Sequence, residues 1–227
     1  MRPYGNPIPL PEPRERGFNI SERIAPLATS SLGSFVSTFA ALLDTVAFSG
    51  RDSRPLKRDE GVEHALAVLR RAATQQSSVF LLGNGGSSAV ASHIANDFCN
   101  TSGLRAFTLS DQAMLTCFTN DYGYANAYGM LLTRLARSND VLIAISSSGS
   151  SSNIVNAIQK MLALGGHVIT LTGFSEDNPV RRLGEVNAWL DSKEYGLVET
   201  GHLLIMHYLA DCLSSERARS GDTTKVR

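Results

Sequence analysis

Apolar residues change their spacing along the chain in a regular order. Residues 31–48 (SLGSFVSTFAALLDTVAF) place apolar side chains every three or four positions, the spacing of one helix face, and the pattern breaks at SGRDSRP. A second amphipathic helix follows in DEGVEHALAVLRRAATQ. From there short, nearly continuous apolar runs alternate with helical ones. SSVFLLG (77–83), AFTLS (106–110), DVLIAIS (140–146), HVITLTG (167–173) and VNAWLD (186–191) read as strands. SSAVASHIANDFCN, AMLTCFTND, YANAYGMLLTRLAR, the segment from Ser151 and GLVETGHLLIMHYLADCLSS read as helices. Strands without a polar face, alternating with helices, predict an α/β fold whose parallel sheet is covered on both sides. The two leading helices precede the first strand, so they pack on that sandwich or on another subunit.

The ends differ from this body. Five of the eight prolines fall in PYGNPIPLPEP, residues 3–13, which predicts an extended arm over residues 1–29. ARSGDTTKVR closes the chain as a polar tail, residues 218–227, leaving one domain over 30–217. With 227 residues and 43 % of them apolar, the chain can build a sizeable core. Its net charge is zero, so no bulk attraction to nucleic acid or acidic membranes is expected. No apolar run approaches the roughly 18 residues of a membrane span, and the N-terminus has no signal core. Cys99, Cys117 and Cys212 lie far apart, an odd and sparse set that fits reduced thiols in the cytoplasm.

Two turns bend this picture towards chemistry. SSSGSSSN, residues 146–153, has the composition of a flexible linker, yet it joins a strand directly to a helix. GNGGSS, residues 83–88, does the same after the first strand of the alternation. Ligands of parallel sheets bind beyond the carboxyl ends of the strands, where helix N-termini offer unpaired N–H groups and partial positive charge. Glycines let the backbone approach an anion and serines add hydroxyl donors. Neither turn is a nucleotide signature: the first lacks the last glycine of a dinucleotide fingerprint, and neither has the Gly-Lys-Ser/Thr of a P-loop. A lysine-free, serine-rich cradle suits one phosphomonoester.

At these motifs the chain resembles a known family. LLGNGGSSAVASHIANDF, LSDQAMLTCFTNDYGY, VLIAISSSGSSSNIVNAI and VITLTG are similar to the sugar isomerase (SIS) domain, and within it to the phosphoheptose isomerases, over about residues 30–215. The resemblance implies a three-layer sandwich around a five-stranded parallel sheet of order 2-1-3-4-5, in homotetramers with active sites at subunit interfaces. It places phosphate contacts on Ser87, Ser146, Ser148 and Ser151, with Asn84, Gly85, Gly86 and Asp111 as further substrate contacts. Asp111 and the Asn120–Asp121 pair also suit turns and helix caps, and Tyr195 could line the pocket or simply pack. The chain departs from the family at Ser150, where asparagine is usual, and at NTSG (100–103), where an arginine is common.

A serine cradle alone would serve a non-catalytic sensor, so the chemistry has to come from other residues. His93 and Asp97 share one helix face at a spacing of four. Glu199, His202 and His207 lie on the last helix among apolar residues. In the family resembled, the positions of His93, Asp97, Glu199 and His207 bind zinc in some members, and those of Asp97 and His207 carry the proton transfers. The resemblance thus implies a zinc-assisted aldose–ketose isomerase of sedoheptulose 7-phosphate. Asp97 is one methylene shorter than the glutamate usual there, and Glu199 stands for a glutamine. Residues 199 and 207 are separated by about 12 Å along an ideal helix, so both reach one ion only if the helix bends or frays; His202 is the spare candidate. The alternative, a phosphosugar-binding regulatory or assembly module, needs only the serines and has no use for histidines and carboxylates on two helices.

Overall fold

The computed structural model describes residues 31–220. The proline-rich arm expected over residues 1–29 lies outside them, as does the tail beyond residue 220. The chain opens with α1 (Leu32–Asp44), whose N-cap Ser31 forms a reciprocal capping box with Ser34. It then makes an antiparallel hairpin, β1 (Ala47–Gly50) and β2 (Pro55–Leu56), before α2 (Arg58–Gln75). The alternation follows: β3 (Ser78–Leu82), α3 (Gly86–Asn100), β4 (Arg105–Thr108), then the helix pair α4 (Gln112–Tyr122) and α5 (Tyr124–Leu135). It continues through β5 (Val141–Ser146), α6 (Ser152–Ala163), β6 (His167–Thr172), β7 (Val186–Trp189) and α7 (Tyr195–Arg219).

Among the described residues the sheet has seven strands in the order β2-β1-β7-β6-β5-β3-β4. The five from β3 to β7 pair in parallel. Numbered among themselves they follow the expected order 2-1-3-4-5. The five-stranded, all-parallel expectation is nevertheless corrected, because β1 adds antiparallel to β7 and carries β2 on its outer edge. The physical reason lies in residues 45–50. The apolar pattern of α1 runs on into TVAF, but the helix stops at Asp44, and the chain turns so that Phe48 and Ser49 are buried against β7. A four-residue strand of this kind is specified by its partner more than by its own sequence.

Successive residues of the central strands enter different cores. Val141, Ile143 and Ile145 of β5 pack with α2, α3 and α7, while Leu142 and Ala144 pack with α5 and α6. Each fully buried leucine or isoleucine contributes roughly 1.5–3 kcal/mol by leaving water. Buried Asp140 fixes the strand starts on the side away from the site: its carboxylate accepts from Ser78 N at 2.7 Å and Arg137 N at 2.8 Å. With β3 and β5 held as neighbours in register, their carboxyl ends deliver the two glycine- and serine-rich turns side by side.

Candidate functional site

The turns after β3 and β5 border one cavity of about 470 Å³, closed on a third side by the first turn of α7. Ser87 and Ser146 are buried at its base, with Ser148 and Ser151 nearer solvent. Gly149 holds φ at +62°, and a side chain there would collide with Asn178, so the turn keeps its shape only with glycine. Of the eight substrate-contact residues expected from sequence, Asn84, Gly85, Gly86, Ser87, Ser146, Ser148 and Ser151 line this cavity. Asp111 does not. It caps α4, accepting from Met114 N at 2.8 Å, and borders a separate, mostly apolar hollow beside Phe80 and Phe107.

Sequence reasoning missed a polar brace and one serine. Asn84 and Asn153 pair amide to amide, at 3.0 and 2.8 Å, and the Tyr124 hydroxyl donates to the same Asn84 oxygen at 2.7 Å. Both lone pairs of that oxygen are used, which leaves Asn84 one N–H for a ligand. The brace ties the turn after β3 to α6, so the two halves of the cavity hold a fixed separation. Ser147 also lines the cavity; its hydroxyl is buried and has no partner among the described residues. Within a run of like serines, nothing in the sequence distinguishes it from its neighbours. Tyr195 completes the wall, edge-on to Phe174 with ring centres 4.9 Å apart.

The remaining chemistry lies along the seam where α3 and α7 pack side by side, pointing the same way. Glu199 meets the start of α3 and His207 meets its middle. The Glu199 carboxylate borders the cavity beside the backbone of Gly86, and burial pushes its pKa up. About two turns further, His207 Nδ1 stands 3.3 Å from Asp97 Oδ2, and His93 Nε2 stands 3.6 Å from the same oxygen. The two imidazoles meet edge to face at 4.9 Å. One donor atom from each of His93, Asp97 and His207 lies within 4.8 Å of the others. Ligands of a tetrahedral zinc at about 2.1 Å stand about 3.4 Å apart, so these three fit an ion with a position left for water or substrate.

Of the four metal-type residues expected, the structure gathers His93, Asp97 and His207 and leaves Glu199 outside the group. The cause is helical: α7 is continuous from Tyr195, so eight residues keep Glu199 and His207 apart. His202 is not in the group either. It is wholly buried against the sheet, with Nε2 3.0 Å from the Thr172 carbonyl, and burial pushes its pKa down to about 4, so it is a neutral core residue. His167, 2.7 Å from Glu185, is paired at a strand start.

With this geometry in place, comparison with known proteins is direct. The SIS domain profile matches residues 53–173. The phosphoheptose isomerase of Helicobacter pylori (strain P12) is 31 % identical over 160 residues, covering 68 % of this chain and 83 % of that protein. That of Thiobacillus denitrificans is 32 % identical over 162 residues, covering 68 % and 82 %. Among solved structures, phosphoheptose isomerase from Neisseria gonorrhoeae superposes with a TM-score of 0.67 at 26 % identity, over 82 % of this chain and all of that one. The Vibrio vulnificus NanR protein, complexed with ManNAc-6P, superposes at 0.60 with 18 % identity over 84 % of this chain and 63 % of its own, a likeness of fold alone.

Proposed function

The chain belongs to the SIS domain family, and from that premise we propose that it is a phosphoheptose isomerase, converting sedoheptulose 7-phosphate to D-glycero-D-manno-heptose 7-phosphate. One observation carries the reading: α3 and α7, which carry the His93–Asp97–His207 cluster, also form part of the wall of the serine-lined cavity. A regulatory module that only binds a phosphosugar has no use for the second of these.

In this reading Ser87, Ser146, Ser148 and Ser151, with the first N–H groups of α6, hold the phosphate. After the ring opens, the Asp97 carboxylate takes a proton from C1, next to the ketose carbonyl at C2. The electron pair left behind makes the C1–C2 enediolate. His207 carries the hydroxyl proton from O1 to O2, and Asp97 returns the carbon proton to C2, which leaves an aldehyde at C1. His93, Asp97 and His207 would hold a divalent cation, zinc by the character of two imidazoles and a carboxylate, and such an ion supplies Lewis-acid polarisation of a carbonyl. The reading extends to a homotetramer, supported by Leu32 and Val36 exposed on α1, outside the βα alternation. It also extends to a cytoplasmic setting, supported by three cysteines without a disulfide.

The test is sedoheptulose 7-phosphate incubated with the protein and a divalent metal in D2O, followed by NMR. Solvent deuterium at C1 of the ketose or C2 of the aldose is the expected result. Absence of exchange and of product with zinc, manganese and nickel alike overturns the reading.

A further inference from the structure

Two helix N-termini open on the cavity, and the chain treats them differently. At α6 the N-cap Ser151 makes no capping bond through its side chain, and nearby Ser147 keeps a buried hydroxyl without a partner among the described residues. Donors converge there with no acidic side chain among the cavity residues of that turn. At α3 the N-cap is Gly85, which has no side chain to offer. The space is taken by Glu199 from α7, whose carboxylate lies so near Gly86 that any side chain at that position would collide with it. One N-terminus carries a negative charge already; the other keeps its donors for a ligand.

We propose that Glu199 is a charge filter and positioning residue: it keeps the phosphate on the serine side of the cavity, between the turn before α6 and the Ser87 hydroxyl, so that the uncharged end of the sugar meets the Glu199 carboxylate, and it rejects ligands with a second anionic group at that end. The inference rests on the reading that this cavity takes a sugar phosphate. A second phosphate or a carboxylate at the α3 end would face the Glu199 carboxylate across a half-buried, weakly screened space. Hydroxyl groups there would instead donate to it. The cavity therefore favours polyol and sugar monophosphates over sugar bisphosphates and phosphorylated sugar acids. The same polarity sends the reacting carbons towards the α3–α7 seam, on which His207 and Asp97 also lie.

Two open-chain probes of equal length isolate the effect. Sorbitol 6-phosphate and 6-phosphogluconate differ at C1, a hydroxymethyl in one and a carboxylate in the other. Calorimetric titration of the full chain at pH 7.5 reads their affinity ratio. The wild-type protein should prefer the hexitol phosphate by about tenfold or more, a difference of affinities set by repulsion. Glu199→Gln, nearly isosteric, should shrink that preference about fivefold or more, while Ser148→Ala should weaken both ligands and leave the ratio alone. An unchanged ratio in folded Glu199→Gln, or no binding of either probe to the wild type, overturns the filter. Wild-type protein that shows the preference but isomerises no ketose phosphate refutes the isomerase reading and leaves the filter standing, so the two failures are separable.

Discussion

His207 meets Asp97 across the α3–α7 seam, Nδ1 to Oδ2 at 3.3 Å, and the same carboxylate oxygen faces His93 on its own helix. One aspartate oxygen thus stands close to a nitrogen of each of two imidazoles, which gathers three potential ligand or proton-carrying atoms in one place. That arrangement suits a group that takes and returns a proton, and it also suits a metal ligand.

Asp97→Asn separates binding from chemistry. The amide keeps the size of the side chain and removes the base. Turnover of sedoheptulose 7-phosphate should fall by at least about a hundredfold, the lower end of what a positioned base contributes. Affinity for an unreactive sugar phosphate should be unchanged, because the serine turns lie elsewhere. Wild-type turnover in the variant would remove Asp97 from the mechanism.

His207→Gln tests the cluster as a metal site. Protein purified without chelators should carry a divalent metal, zinc foremost, and the variant should carry less by elemental analysis. His202→Asn serves as the control and should keep the wild-type content, since His202 is buried against Thr172 outside the cluster. Equal metal in His207→Gln and wild type would rule out His207 as a ligand.

Ser148→Ala probes the phosphate cradle. A hydrogen bond to a charged group contributes about 1.5–3 kcal/mol, so sugar-phosphate affinity should drop roughly ten- to a hundredfold. The partly exposed Ser148 hydroxyl accepts only long contacts from Ser150, at 3.3 and 3.4 Å, so little of the native fold depends on it. An unaltered dissociation constant in the double variant Ser146→Ala/Ser148→Ala would dismiss the cradle.

Much of this was legible in the sequence because period and punctuation agree. Val141–Ser146 is apolar throughout up to its final serine and ends in a serine turn, so strand, switch and ligand edge all announce themselves within a dozen residues. The hairpin β1–β2 was not legible. Phe48 satisfies the helical spacing of α1 as well as it satisfies a strand, and its pairing with Ala188 joins residues far apart in sequence. Glu199 was assigned by position rather than geometry; the eight-residue gap to His207 already argued against a shared ion, and the unbroken α7 decides it. Asp111 illustrates a different limit. An acidic residue just before a helix satisfies the cap first, and nothing local tells whether one of its oxygens remains for a ligand.

His202 makes the protein's stability depend on pH. Its ring is fully buried, and Nε2–H donates to the Thr172 carbonyl, while Nδ1 has no partner among the described residues. Protonation would place a second donor and a full charge where neither is answered, which is why burial lowers the pKa to about 4. The unfolded chain returns the group to its ordinary value of about 6.5. Between these values the unfolded state binds more protons than the folded one, so stability rises with pH through this window and falls on acidification. The limiting slope for one proton is about 1.4 kcal/mol per pH unit. His202→Asn keeps a donor for Thr172 and does not titrate. Its stability at pH 7 should be lower than wild type, since a smaller side chain leaves space in the core, but the gap should narrow as pH falls from about 6.5 towards about 4. Urea unfolding at several pH values measures this directly, and parallel stability profiles for the two proteins would contradict the assignment of His202 as a buried neutral imidazole.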